Sequence, residues 1–172
     1  MTHQVDVLRG DITAQHVDAV VNAANRRMRG GGGVDGAIHA AGGPTILRAC
    51  EERFPDGLAT GEAGWTTAGD LPASWVIHVV GPNFAAGERD AALLAACYSN
   101  ALRIADELGA RTLAFPLVSA GIFSWPLEDA ASIAVRTLTQ TSTDAQASTL
   151  VAFDAPAFEA LRCTLEGVNY GP

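Results

Sequence analysis

Six short runs of apolar, often β-branched residues, at positions 5–8, 17–21, 62–67, 75–80, 112–115 and 149–153, alternate with longer stretches whose apolar residues recur every three or four positions. Strands that alternate with helices constrain the chain to an α/β sandwich, because each helix carries the chain back to start the next strand and both sheet faces must be covered. At roughly 100 to 200 residues per domain, a chain of 172 residues has room for one core, so residues 1–172 are read as a single domain.

Two helices have clear signals. Leu94, Cys97, Tyr98, Ala101, Ile104, Ala105 and Leu108 stack into one apolar stripe on a helix that Gly109 stops. Leu127, Ala130, Ala131, Ala134 and Leu138 repeat the pattern behind Pro126, whose fixed φ and missing N–H suit a first helical position. Glu128 and Asp129 favour the same start through the helix dipole. Weaker helical patterns follow Pro44, through Ile46, Leu47 and Cys50, and Pro156.

Charge and composition remove several function classes. Lys and Arg number 11 against 19 Asp and Glu, a net charge of -8, so no cation surplus exists for a nucleic-acid backbone and any anionic ligand must be held locally. With 48% hydrophobic and 17% charged residues the chain is not a disordered one. The start MTHQVDVLRG lacks a signal-peptide layout, and no apolar run approaches the roughly 18 residues that span a bilayer, which gives the expectation of a cytoplasmic protein without a membrane anchor. Cys50, Cys97 and Cys163 form no CxxC pair and read as buried small hydrophobes in a reducing compartment. His3, His16, His39 and His78 lack metal-ligand spacing and read as structural or solvated, so no metal and no cofactor are expected.

The departure from regular patterning is local: residues 30–33 are four consecutive glycines, shortly after an apolar strand that ends in Asn22-Ala23-Ala24-Asn25. Glycine costs about 0.5 to 1 kcal/mol within regular structure, so the run implies unusual backbone angles or a very close approach by another group. A flexible surface loop is the plain reading. The neighbours add a second one, because a strand leads in and residues 34–41 can continue as a helix, and backbone N–H groups at such a junction bind anions. Gly31, Gly33 and Gly36 satisfy GxGxxG, yet residues 25–29 intervene between strand and glycines and Asp35 would place a carboxylate among the amides, which argues against a dinucleotide fold. No Lys-Ser or Lys-Thr follows, as a Walker loop requires. A second glycine-bearing loop, SAGIFSWP at 119–126, joins the strand at 112–115 to the helix beyond Pro126. Two strand-to-helix junctions at the carboxyl ends of strands suit a diphosphate held between them. Phe123 suits packing against a flat group such as a sugar face, or a plug in the core.

GDIT at 10–13, NAAN at 22–25, GGGGVDGAIH at 30–39, TGEAGWTTAGDLPASWVIHVVGP at 60–82 and SAGIFSWP at 119–126 together resemble the macrodomain family, in particular its MacroD-like hydrolase branch. The resemblance runs from Gly10 to about Phe153. It implies a three-layer α/β/α fold around a mixed, mostly parallel sheet of about six strands, with ADP-ribose in a cleft over the sheet. It further implies that Asp11 accepts a hydrogen bond from the adenine amino group, that the Ile12 backbone contacts the ring, and that Phe153, in the last strand, packs against adenine. Ala23 would line the cleft; Gly31, Gly32, Gly33 and Val34 would line one side of the diphosphate and distal ribose, and Ser119, Ala120, Gly121, Ile122 and Phe123 the other. Asn25 would bind a hydroxyl of the distal ribose and Asp35 would sit by the anomeric carbon. Many relatives carry Gly where this chain has Ser124, whose side chain would narrow the cleft or add a hydroxyl contact.

Each of these residues also has a plain structural reading: Asp11 as a turn cap, Asn22 and Asn25 as turn residues, Asp35 as a cap for a helix entered at Gly36. The function that the resemblance implies is a metal-independent hydrolase that removes mono-ADP-ribose ester-linked to Asp or Glu side chains and also deacetylates O-acetyl-ADP-ribose, with Asp35 and Asn25 as its catalytic pair. The alternative is a module that binds ADP-ribose without hydrolysis. The implied partners are ADP-ribose and ADP-ribosylated proteins, and a monomer is expected.

Overall fold

The computed structural model describes residues 2–170. Six strands, β1 (Gln4–Arg9), β2 (Ala19–Ala24), β3 (Ala63–Thr67), β4 (Trp75–Val80), β5 (Thr112–Phe115) and β6 (Ala147–Ala152), form one sheet in the order β1-β6-β5-β2-β4-β3. All neighbours are parallel except β3, which pairs antiparallel with β4 at one edge. Helices α1 (Gly33–Gly42) and α2 (Pro44–Arg53) cover one face; α3 (Ala91–Leu108), α4 (Leu127–Gln140) and α5 (Ala155–Tyr170) cover the other. This is the expected three-layer α/β/α architecture.

Strands β2 and β4 lie inside the sheet with both faces covered, which is why their sequences, AVVNAA and WVIHVV, are nearly continuous apolar runs. Alternate residues serve alternate faces. Ala19, Val21, Ile77 and Val79 join the core under α3 and α4, while Val20, Ala24, Val76 and Val80 join the core under α1 and α2. The stripe on α3 is buried as expected except at Leu108, and Gly109 ends the helix in the left-handed conformation with φ 73°.

The structure corrects several expectations. The second strand does not stop at Val21 but continues through Asn22 to Ala24, because the Asn22 side chain finds partners inside the fold and the strand need not end there. The last strand ends at Ala152, so Phe153 is not in it; Phe153 stands one residue beyond and is 90% exposed. Pro126 is the cap residue before α4, with an extended ψ of 128°, rather than its first helical residue. Cys50 and Cys97 are buried, whereas Cys163, on the outer side of α5, is exposed. Asp35 does not cap its helix: α1 begins at Gly33 and places Asp35 in its first turn.

Candidate functional site

At the carboxyl ends of β1, β6, β5 and β2 the chain leaves the sheet in four segments that, with Gly81 just beyond β4, surround one cleft of about 920 Å³. That volume is at the upper end of the range typical of small-molecule sites, enough for a ligand of dinucleotide size. All the residues to which ligand or catalytic roles were assigned above line this cleft. Ser124 does not: it is exposed, and its hydroxyl lies 3.4 Å from the Ile122 carbonyl oxygen, so it does not narrow the cleft as expected.

Two loops form the long walls. In the first, Gly30 and Gly33 adopt φ of +86° and +60°, which meets the expectation of unusual backbone angles and explains why side chains are absent there. Gly32 is the cap of α1, so the first amides of the helix, which have no acceptor within it, open onto the cleft together with the positive end of the helix dipole. In the second loop, Ser119 has φ 66°, the Trp125 amide donates to the Ser119 carbonyl at 2.9 Å and the Ser124 amide to the Gly121 carbonyl at 3.0 Å. The loop is tied to its surroundings at both ends. The Val118 amide donates to the hydroxyl of buried Tyr98 on α3 at 2.9 Å, and the Trp125 indole donates to Asp129 at 2.8 Å. Ile122 reaches across the cleft, its Cδ1 lying 3.1 Å from where a β-carbon on Gly32 would stand. Phe123 is half-buried and faces the cleft rather than plugging the core.

At one end of the cleft Asp11 does cap a turn, accepting from the Thr13 amide at 2.9 Å and the Thr13 hydroxyl at 2.7 Å through Oδ1. These hydrogen bonds hold its carboxyl below the ordinary carboxylate range. Capping and cleft lining therefore coexist in one side chain. Phe153 stands exposed at the same end, a bare aromatic face against the cleft.

Further along the cleft lies Asp35, 4% exposed and with its two carboxylate oxygens in different surroundings. Oδ1 accepts a hydrogen bond from Asn22 Nδ2 at 2.8 Å and lies 3.4 Å from Nε2 of His39, one turn further along α1. Oδ2 faces Gly31: a β-carbon on that glycine would stand 3.2 Å from both Asp35 Oδ2 and Asn25 Nδ2. The only side chain that leaves this space open is none at all. Asn25 is itself oriented by the loop, its carboxamide accepting from the Arg27 amide at 3.1 Å and donating to the Gly30 carbonyl at 3.3 Å. An acceptor and a donor thus converge on one point of the cleft wall, which is the arrangement that can hold a water or a hydroxyl.

Sequence reasoning missed His39 and Asn22. His39 is largely buried and beside Asp35, not solvated, and its i,i+4 spacing from Asp35 was the available signal once a helix is placed over both. Asn22 is a fully buried strand residue and not a turn. Its signal was that a polar residue interrupts an otherwise apolar buried strand.

Against known proteins, the model of the family described as Macro domain matches residues 21–134. The chain is 53% identical over 165 residues to the macro domain-containing protein SCO6450 of Streptomyces coelicolor, covering 94% of this chain and 98% of the relative. It is 51% identical over 141 residues to the O-acetyl-ADP-ribose deacetylase of Enterobacter cloacae, covering 80% of this chain and 78% of the relative. Among solved structures, a mutant Oceanobacillus iheyensis macrodomain with ADPR superposes with a TM-score of 0.89 at 34% identity, covering 96% of this chain and 93% of that one.

Proposed function

Because the chain belongs to the macrodomain family, we propose that it is an ADP-ribose-binding hydrolase that releases mono-ADP-ribose from esters with Asp and Glu side chains and deacetylates O-acetyl-ADP-ribose. The observation that carries this reading is the divided environment of Asp35. One oxygen is held inside the protein, and the other shares the cleft wall with Asn25. Similarity to proteins named O-acetyl-ADP-ribose deacetylase and to a macrodomain with ADPR supports it.

On this reading the cleft takes the adenine end beside Asp11, Ile12 and Phe153, and the main-chain amides of both loops hold the diphosphate. An acidic protein can grip an anion in this way because the partial charges belong to peptide groups. Asn25 fixes a hydroxyl of the distal ribose. Asp35 Oδ2 accepts a hydrogen bond from a water and orients it toward the ester, taking its proton as the new C–O bond forms. The new C–O bond is made to the acyl carbon of the ester, and the bond from that carbon to the ribose oxygen then breaks. The ribose oxygen takes up the proton that Asp35 held, so that ADP-ribose leaves with a free hydroxyl and the acid separates. The substrates are an ADP-ribosyl ester and a water; the products are ADP-ribose and a carboxylic acid.

The test is turnover of O-acetyl-ADP-ribose and of a protein carrying ADP-ribose on acidic side chains, with calorimetric binding of ADP-ribose alongside. Wild type is expected to release acetate from the first and ADP-ribose from the second. Asp35→Ala is expected to lower turnover by about 10² to 10⁴, the usual worth of a general base. Its affinity for ADP-ribose should fall by no more than the roughly 0.5 to 1.5 kcal/mol of one hydrogen bond. Binding with no release from either substrate would instead make the protein a reader of ADP-ribose.

A further inference from the structure

Behind the cleft wall, on the face of the sheet under α1 and α2, lies a line of buried polar side chains, Asn22, His78 and Thr66, that do not line the cleft. Asn22 on β2 and His78 on β4 are paired in register across the sheet, and both are 0% exposed. Asn22 Nδ2 lies 2.8 Å from Asp35 Oδ1 and 3.1 Å from His78 Nδ1. His78 Nε2 lies 2.9 Å from the Thr66 hydroxyl on β3, and that hydroxyl donates to the Thr67 carbonyl at 2.9 Å.

The order of donors and acceptors follows from Asp35: a carboxylate only accepts, so Asn22 turns its Nδ2 to Asp35 and to His78 Nδ1. The ring proton sits on Nε2, and Nε2, with the Cys50 Sγ 3.8 Å away, donates to the Thr66 oxygen, whose own proton goes to the Thr67 carbonyl. A neutral imidazole protonated at Nε2 has a bare Nδ1, which accepts one N–H of the Asn22 carboxamide. The second N–H of the same carboxamide goes to Asp35. His78 is held neutral by its burial, which pushes its pKa down to about 3. The Asn22 carbonyl oxygen, by contrast, is buried with no partner. Leaving such an atom unpaired costs free energy, so the carboxamide is held in this orientation by its two acceptors and by nothing on its oxygen side. Flipped, it would present an oxygen to the Asp35 carboxylate and repel it.

We propose that His78, which lies outside the cleft, is a positioning residue of this site: backed by Thr66, it sets the orientation of the Asn22 carboxamide, which in turn holds Asp35 Oδ1 and leaves Oδ2 directed at Gly31 and Asn25. This rests on the hydrolase reading above for its kinetic consequence but not for its geometry. Neither His78 nor Thr66 lines the cleft, so their effect on the site passes through Asn22 to Asp35.

The experiment compares His78→Leu, which removes the acceptor while keeping an apolar side chain of similar bulk, with His78→Asn, whose amide oxygen can replace Nδ1 as acceptor. Both are measured for ester turnover and for ADP-ribose binding, with circular dichroism to confirm folding. Nitrogen NMR of the wild-type His78 ring supplies a readout independent of activity. The expected ring is protonated at Nε2 and bare at Nδ1. In His78→Leu, kcat is expected to fall by about tenfold or more, as small misplacements of a catalytic group do, with KM and ADP-ribose Kd within about twofold of wild type. His78→Asn is expected to recover most of that loss. Unchanged kcat in His78→Leu, an equal loss in binding and in turnover, or no recovery in His78→Asn would overturn the proposal. If neither variant folds, or if wild type turns over no ester, the ring nitrogens still decide the geometry: a proton on Nδ1 overturns it and a bare Nδ1 upholds it, while absence of wild-type turnover counts against the hydrolase reading alone.

Discussion

Ser124 carries φ of 61°, a left-handed conformation that costs an ordinary L-residue about 1 to 2 kcal/mol, and it does so without lining the cleft. Its replacement by glycine relieves that strain and loses some of the gain to a freer unfolded chain. Ser124→Gly is therefore expected to raise stability by up to about 1 kcal/mol, measured by urea denaturation, with ADP-ribose affinity unchanged. At the same scale, the residues of the candidate site were unusually legible in the sequence. The glycines, Asn25 and Asp35 stand in short contiguous blocks, and the features that matter there, a missing side chain and a carboxylate at a loop-to-helix junction, are written in residue type alone. What could not be read is which oxygen of Asp35 faces where. That is decided by Asn22 through a side-chain hydrogen bond inside the fold, and residue type gives no orientation.

Among the elements, α3 supports the site from beneath without contributing a lining residue. Its Tyr98 is buried, and its hydroxyl accepts the Val118 amide just before the loop that forms the second wall. Burial raises the Tyr98 pKa well above the ordinary tyrosine value, so the hydroxyl is neutral at every accessible pH. Tyr98→Phe leaves that amide unpaired in the interior, and is expected to cost about 1 to 3 kcal/mol in urea or thermal denaturation. It should also weaken ADP-ribose binding through the loosened loop. Element positions followed from the sequence to within three residues where the apolar pattern alone defines them, as in α3 and β4. They failed where a polar residue is satisfied at long range: the strand that holds Asn22 reads as finished at Val21, because its partners lie 13 and 56 residues away in the chain. Pro126 failed for a different reason, since an extended ψ suits a cap as well as its φ suits a first turn.

For the whole molecule, the buried imidazole of His78 makes stability depend on acidity. Around it stand Asp35 and His39 from α1 and the Cys50 thiol from α2, 3.8 Å from Nε2 and pushed up to about 11 by burial, so that the thiol adds no charge. Desolvation outweighs the attraction of Asp35, and the ring titrates at about 3 in the fold against 6.5 when free. Between those values the unfolded chain takes up a proton that the folded chain refuses, so stability must fall as pH drops below about 6.5. At pH 5 the loss from this ring is about 2 kcal/mol, and half-buried His3, also lowered, adds in the same direction. Urea midpoints measured from pH 8 to pH 5 should decline accordingly, and His78→Asn should flatten most of the slope. A second global feature, the net charge of -8, predicts how binding responds to salt. Added salt screens repulsion between the acidic surface and an anionic ligand, so ADP-ribose affinity should hold or rise between low and physiological ionic strength, where a cation-built site would lose affinity.

Every segment around the cleft departs from the same rim of the sheet, past the carboxyl ends of its five parallel strands. The opposite rim, where residues 109–111 and 141–146 turn the chain back into β5 and β6, is devoted to joinery, with Asp18 and Asp106 fastening those turns. Chemistry and carpentry are thereby kept at arm's length. Replacements along one border can retune what the protein acts upon while the scaffold stands, and those along the other can make it sturdier or frailer without altering its trade.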